Sequence, residues 1–499
     1  MKYNKSKKTN KEVLIETLIK IDELIKSGNI GQAQRMLSLL YEKREYELYK
    51  EKDRVFFCSL LRRCGRSLLA IRILQPFIYP KVKSVYQASS QEKLEYASAL
   101  VRLGILTEAD KVFATIEVDE LPIVLVRRAF LFISQWDFKK SNELLISYIQ
   151  HPKAEAYDIA VAEVNYLQGL TYLGKIPEAM KLFESLQGKL EGRKLLLAAI
   201  YEFASESQRL LKNYSLSLDL ITKAQSYLDN QDSIDAFLIE KQLIITKGYH
   251  RPNKASIHAL MALKKEAMRR QHYESIRDID LHLGILLRSP RILNKVYWGT
   301  RSSFYKERLL SLAKEHKIVL NLEEFKFKKN KGTSLNSQNG LLKNALGPSL
   351  LKSNQALHRL LKSLLSDFYK PQTLFGLFND VYQNEIFFPK HSPDKMHQLI
   401  KRFRSFLLKS HIPLELIYHQ KKYTFKITND FTLSATADYS FTWQKQLENH
   451  LKKRQFRVEE AQTLWNCSYR TATRRLATLK KMKVLSSKGQ TKNQKFYFN

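Results

Sequence analysis

The sequence predicts a mainly α-helical chain: a long N-terminal α-solenoid of stacked helical hairpins, then two small domains that mix helix with strand. Three observations carry this. Glycine numbers 16 and proline 12 in 499 residues, too few for many tight β-turns or glycine-rich loops. Through residue 290 the apolar residues recur at three and four, the helical period. A turn-and-alanine frame also returns every 32 to 39 residues. The 58.5 kDa chain is too long for one core, and about two to four domains are expected. With 44% apolar and 27% charged residues, its composition excludes a fibrous or mainly disordered chain.

Residues 1–10 read as a basic, disordered N-terminus; the opening MKYNKSKKTNKEV lacks the apolar stretch and cleavage site of a secretory signal. The frame begins within 11–290. Gly28 is followed by Ala33 and Leu37, Gly65 by Ala70 and Leu74, Gly104 by Ala109 and Phe113, and Gly174 by Ala179 and Phe183. A degenerate copy runs Asn213, Leu218, Thr222, and another turns near Trp136. A glycine closes one helix in the left-handed conformation. The alanine lets the next helix approach, and the large residue one turn on fills the groove between hairpins. Over roughly 11–250 this frame resembles the tetratricopeptide repeat, although its typical Trp and Pro are largely missing; a generic α-helical stack is the alternative. Either stack presents a concave face suited to a protein, a peptide or a regulatory ligand.

Residues 255–315 look helical but fit the frame poorly, and 291–314 read as a connecting segment. Lys328–Ser353 is polar and glycine-containing and reads as loop or linker. Within 315–430 the order is then helix (Leu357–Phe368), helix (Gln372–Tyr382), loop, a basic helix opened by Ser392-Pro393-Asp394, and an alternating hairpin over 414–427. Met396, Leu399, Phe403 and Phe406 share the inward face of the basic helix; His397, Lys401 and Arg404 lie opposite, with Arg402 flanking. This order resembles the winged-helix effector domain of bacterial response regulators. Ile400-Lys401-Arg402-Phe403-Arg404 stands where that family has its recognition-helix core, and Lys422-Tyr423-Thr424-Phe425 where it has its last strand, with lysine in place of the usual glycine. The resemblance implies DNA contact through His397, Lys401, Arg402 and Arg404 and through the turn residues Lys421 and Lys422. A winged helix that packs instead of binding is the alternative.

Residues 441–499 carry the same order in its most complete form. Trp443–Leu451 and part of Phe456–Trp465 are two helices, Asn466-Cys467-Ser468 a turn, and Tyr469–Lys480 the third helix. Two strands then bracket the basic turn Lys488–Asn493. Ser468 is placed to cap the third helix and leave its amide end facing a phosphate. Ala472, Leu476 and Leu479 share its buried face; Arg470, Arg474 and Lys481 lie opposite, with Tyr469 and Thr473 close by. The run from Ser468 to Leu479 resembles winged helix-turn-helix regulators. Arginine and threonine on the exposed face of such a helix can reach base edges and phosphates, so Ser468, Tyr469, Arg470, Thr473, Arg474 and Lys481 are the candidate DNA contacts of this helix, and Lys488, Lys492 and Lys495 place charge where a neighbouring phosphate or minor groove would lie. The fold expected for the C-terminal part is therefore two winged-helix domains.

Charge points the same way. The net charge is +35, and residues 301–499 hold +23 of it, with +11 in the last 59. Such a surplus suggests a polyanionic partner. Cys58, Cys64 and Cys467 have neither disulfide nor metal spacing, so a reducing, cytoplasmic setting without metal or cofactor is expected. No phosphate loop, dinucleotide fingerprint, HExxH or nucleophile elbow is present, and no enzyme is expected. The leading reading is a cytoplasmic DNA-binding regulator whose repeats sense or dock a partner and whose winged helices bind double-stranded DNA. It allows a homodimer and expects no membrane contact. A repeat-based adaptor with winged helices as protein contacts, or a plasmid-type replication initiator, are the alternatives.

Overall fold

The computed structural model describes residues 10–498, apart from 27–28, 44, 81–86, 229–232, 328–332, 337–339, 345–346, 352–354, 435–446, 448–450, 452–454, 466, 482–484 and 490–493. The expected disordered terminus 1–10, save Asn10, lies outside these residues.

Residues 10–315 form a row of helical hairpins. The pairs are α1 (Asn10–Lys26) with α2 (Ile30–Glu42), α3 (Glu51–Arg63) with α4 (Ser67–Ile78), and α5 (Ser90–Leu103) with α6 (Leu106–Phe113). Next come α7 (Ile123–Ser134) with α8 (Phe138–Ile149), α9 (Ala156–Tyr172) with α10 (Ile176–Lys189), and α11 (Lys194–Leu210) with α12 (Tyr214–Ser226). The row continues with α13 (Ile234–His250) and α14 (Lys254–Arg269), α15 (Tyr273–Leu286) and α16 (Pro290–Trp298), and the single α17 (Ser303–Glu315). Each odd-numbered helix packs on the next odd-numbered one, so these make one layer, and each even-numbered helix packs against its neighbours from outside that row.

The frame explains the packing. Gly65, Gly104 and Gly174 turn the chain at φ +73°, +86° and +73°. Trp136 and Lys212 take the same conformation at +63° and +65°, at a cost of about 1–2 kcal/mol each for a residue with a side chain. Five residues after each turn stands a small residue with no exposed surface: Ala70, Ala109, Ser141, Ala179 and Ser217. Leu74, Phe113 and Phe183 fill the grooves one turn on. The expected copy at Asn213 is one residue out of register. Its turn is Lys212, Ser217 and Ile221 are buried, and Thr222 is exposed. The turn expected at Gly28 lies outside the described residues.

The array does not stop near 250. The turn into α14 has no glycine; Asn253 Oδ1 instead accepts from Ser256 N at 2.8 Å. The turn into α16 is made by Arg288 at φ +47°, with Ser289 capping. There the small and large partners have changed places: Leu293 stands where alanine is expected, and Gly284 on α15 makes room for it. A β-carbon at 284 would lie 2.5 Å from Leu293 Cδ2. Residues 291–314, expected to connect, are thus largely α16 and α17.

The last odd-numbered helices share a buried ionic network. Lys241 meets Asp278 at 2.7 Å, Arg308 meets Glu206 at 2.5 Å, and Arg209 meets Glu206 at 3.3 Å. Tyr249 Oη and His282 Nδ1 are 3.0 Å apart. Burial raises the Glu202 carboxyl to about 7, opposed by Lys241. Burial also acts on Asp278, but Lys241, His282 and Arg308 outweigh it and hold that carboxyl below its usual range.

The remaining elements are β1 (Glu324–Lys326), β2 (Thr333–Asn336), β3 (Leu341–Asn344), β4 (Gly347–Leu350), α18 (Ala356–Leu365), β5 (Gln372–Thr373), α19 (Leu374–Val381) and α20 (Ser392–Lys409). They are followed by β6 (Leu414–His419), β7 (Lys422–Ile427), β8 (Phe431–Ser434), α21 (Val458–Leu464), α22 (Tyr469–Lys481), β9 (Leu485–Lys488) and β10 (Lys495–Phe498). Among the described residues these strands form three small sheets, in the orders β1-β8-β2-β3-β4, β5-β7-β6 and β10-β9. The segment expected as a linker, Lys328–Ser353, therefore contributes β2, β3 and β4. Its partner β8 arrives from beyond residue 430, the expected domain edge, pairing parallel to β2 and antiparallel to β1.

The chain packs as two compact units. One holds residues 1–319, 366–400 and 418–424; the other holds 320–365, 401–417 and 425–499. The stretch 315–430, expected as one domain, is thus divided between them. Among the described residues no helix is long and apolar enough to cross a membrane. Among the described residues the structure is mainly helical, with its small sheets confined to the C-terminal part.

Candidate functional site

The C-terminal elements build a compact basic surface. Phe456, Ala461, Trp465, Ala472, Leu476, Leu479, Leu485 and Phe496 form the core beneath it, together with Leu447 and Leu451. Most of the helix expected at Trp443–Leu451 lies outside the described residues; those two leucines are helical and buried. Glu459 and Glu460 sit in the first turn of α21, where the helix amides favour acids.

Ser468 opens α22 as expected from its position: its Oγ accepts from Thr471 N at 3.2 Å. The buried stripe of α22 leaves Tyr469, Arg470, Thr473, Arg474 and Ala477 exposed on the opposite side. Arg470, Thr473, Arg474 and Ala477 follow the three-and-four spacing of one helical face. Thr473 departs in one respect, since its hydroxyl donates to Tyr469 O at 2.9 Å and so bends back onto the helix. Arg475, one residue off that face, lies over the Trp465 ring at 5.5 Å.

The hairpin adds a charge pair. Lys488 and Lys495 face each other directly across β9 and β10, and both are exposed. Like charges so placed repel unless an anion joins them. Lys480, not singled out in the sequence, donates to Ser487 Oγ at 2.7 Å and joins α22 to the hairpin. Lys492 lies outside the described residues, and of Lys481 only the helical backbone is described.

The first basic helix is also placed as expected. In α20 Met396, Leu399 and Phe403 are buried and Phe406 is half-buried, while His397, Lys401, Arg402 and Arg404 are exposed. Arg404 Nη2 donates to Leu416 O at 3.2 Å. The turn between β6 and β7 is Gln420-Lys421, both left-handed at φ +48° and +60°, the signature of a two-residue hairpin turn. Lys421 is exposed. Lys422 is not directed to solvent alone: its Nζ donates to Gln271 Oε1 at 2.9 Å and lies 5.1 Å from the Tyr273 ring centre, both on the repeats. Lys422, expected as a phosphate contact, is thus also engaged within the protein.

Sequence reasoning missed Arg277, Asp280 and Arg301 of the repeats, which bond Asp367, Tyr369 and Asp380. The available signal was compositional. Residues 366–388 carry three acids, one lysine and seven aromatics inside the most basic part of the chain. Cys58, Cys64 and Cys467 are free thiols, and burial raises the first two. Among the described residues no group of His, Cys, Asp and Glu is arranged to hold a metal ion.

No family model matches the chain, and no curated protein matches it. Solved structures do resemble it. The apo form of RapI is 11% identical with a TM-score of 0.39, over 61% of this chain and 95% of that one. A tetratricopeptide repeat protein from Parabacteroides merdae is 14% identical with a TM-score of 0.34, over 61% and 99%. A Rap protein complexed with competence and sporulation factor is 12% identical with a TM-score of 0.37, over 62% and 88%. At these identities and scores the likeness is confined to stacked helical pairs. The chain is a helical-repeat protein with small sheets in its C-terminal part.

Proposed function

We propose that the chain is a DNA-binding regulator: the helical repeats work by protein contact, and the C-terminal α21–α22–hairpin unit is a winged helix that lies on duplex DNA with α22 in the major groove. The observation that carries the reading is the exposed face of α22, with Arg470 and Arg474 one turn apart beyond a Ser468-capped end and two facing lysines on the adjoining hairpin. Arginine pairs bidentately with guanine in that groove, and lysines at a hairpin edge meet phosphates. The order α18, β5, α19, α20, β6, β7, with sheet order β5-β7-β6, supports reading residues 356–427 as a further winged helix. No catalytic role is assigned, and the three free thiols suit a reducing, cytoplasmic setting.

A second reading has its own support. Lys422 is engaged by Gln271 and Tyr273, so the β6–β7 turn makes a contact within this chain, which favours reading the module around it as a protein contact. Extended to both modules, this is a helical-repeat adaptor. Selection of bound duplexes from a random pool by the full-length protein separates the two. Enrichment of one sequence, lost in Arg470→Ala and Arg474→Ala, supports the regulator. Weak binding without enrichment, abolished by salt, supports the adaptor.

A further inference from the structure

Residues 366–388 meet the repeats through a chain of specific polar contacts. Ser366 Oγ accepts from Arg301 Nε at 2.9 Å, and Asp367 accepts from Arg277 Nη2 at 2.5 Å. Phe368 N donates to Gly299 O at 3.2 Å, and a β-carbon at 299 would lie 2.8 Å from Phe368 Cβ. Tyr369 Oη donates to Asp280 at 2.9 Å, with Lys295 5.0 Å from its ring centre. Further on, Thr373 Oγ1 donates to Leu103 O at 3.3 Å and Asn379 Oδ1 accepts from Thr107 N at 2.8 Å. Phe387, fully buried, donates its N–H to Glu108 at 2.8 Å and accepts from Gln75 at 2.6 Å. Arg301 reaches back to Asp380 at 2.6 Å and so holds the segment at two places.

The segment thus touches the array in two regions far apart in sequence, 75–108 and 277–301. The chemistry is complementary. Arginines of the array take Asp367 and Asp380, while Asp280 and Glu108 take a tyrosine hydroxyl and a backbone N–H. The same array holds the hairpin turn over 418–424, through Gln271 to Gln420 at 2.8 Å and through Lys422.

We propose that residues 366–388 are a built-in ligand of the repeat array, an acidic and aromatic latch that keeps the 418–424 turn on the repeats and withholds Lys422 from DNA. A partner protein that opens the latch presents the same chemistry, an acidic segment rich in Phe and Tyr. The withholding of Lys422 rests on the DNA-binding reading; the latch itself does not.

The test uses the full-length chain with Arg301→Ala and, separately, Asp367→Ala. Arg301 is partly exposed, so its loss leaves the repeat core in place. Hydrogen exchange is read across 366–388, 418–424 and the α9–α12 core, and affinity for a duplex is measured over a salt series. Loss of a charge-assisted bond makes exchange in the first two segments rise together by roughly tenfold while the core is unchanged. The duplex salt slope steepens by about 0.9 as Lys422 becomes available. Unchanged exchange in both variants overturns the latch, as does faster exchange that includes the core. Faster exchange with an unchanged slope overturns the withholding of Lys422. Faster exchange with no duplex binding by any form, the parent included, leaves the latch standing and removes the DNA-binding reading instead. A synthetic 366–388 peptide of parent sequence, added to Asp367→Ala, whose array is intact, restores protection of 418–424 if the segment acts as a ligand; failure to do so at saturating concentration counts against it.

Discussion

The Lys488–Lys495 pair allows binding and stability to be moved in opposite directions by one substitution. The two lysines are cross-strand partners at the end of a four-residue ladder, and both are exposed. In the free protein they repel, so Lys495→Gln removes an unfavourable pair and stabilises the hairpin by about 0.2–1 kcal/mol. On DNA the same charge neutralises a phosphate. Each such contact contributes about 0.9 to the slope of log K against log salt, so its loss weakens binding roughly 3.5-fold more at 50 mM than at 200 mM. Lys488→Gln/Lys495→Gln doubles the slope change to about 1.8. Fluorescence anisotropy of a labelled duplex with the full-length protein gives the slopes, and hydrogen exchange of β9 and β10 amides gives hairpin stability. The opposite signs matter because a damaged fold lowers both readouts. An unchanged slope in the double variant refutes the assignment of this hairpin to phosphates, and a less stable hairpin refutes the repulsion argument.

Further outcomes follow from the same geometry. Arg470→Ala and Arg474→Ala each lower affinity for a selected site by about 1–3 kcal/mol with little change on random duplex; equal loss on both makes α22 a phosphate clamp. Ser468→Ala removes the side-chain cap of α22 and costs about 1 kcal/mol in that unit, read as faster exchange of its first-turn amides. Gly284→Ala gains about 1 kcal/mol of helix propensity but loses about 1–3 kcal/mol to the contact with Leu293. Thermal unfolding therefore falls for Gly284→Ala and for Leu293→Ala, and the double substitution costs less than their sum. Acidification removes the stability that His282 contributes to the repeat array, set against a gain from Glu202, whose raised carboxyl takes up its proton in the folded array from about pH 7 downward. His282 is fully buried and held neutral chiefly by that burial, with Arg209, Arg308 and Lys241 adding to it against Asp278. Its unfolded form takes up a proton below about pH 6.5, so stability present above that pH is lost as pH falls. Asp278, whose carboxyl is depressed, adds a further loss below about pH 4. His282→Gln flattens the first of these slopes in a pH series of unfolding midpoints.

What the sequence alone determined is what short-range pattern encodes. The helical hairpins are legible because turn, small residue and groove-filler recur within ten residues of one another, and the turn fixes which side faces in. The same holds for α20 and α22, whose buried stripes and exposed basic faces follow from the helical period, and for Ser468, whose capping role depends on the next three residues. Legibility fails as soon as a partner is distant. Lys212 and Arg288 replace the turn glycine, and Gly284 with Leu293 reverses the usual small-and-large pair, so the frame fades although the packing persists. Strands β2, β3 and β4 are four residues long, too short to show a period, and β8, which joins β2 to β1, comes from some hundred residues on. The place of residues 366–388 was decided by tertiary structure alone. A carboxylate at 367 and an arginine at 277 have no local sign of one another; their attraction acts only after the chain between them, 90 positions apart, has folded and taken both groups out of water.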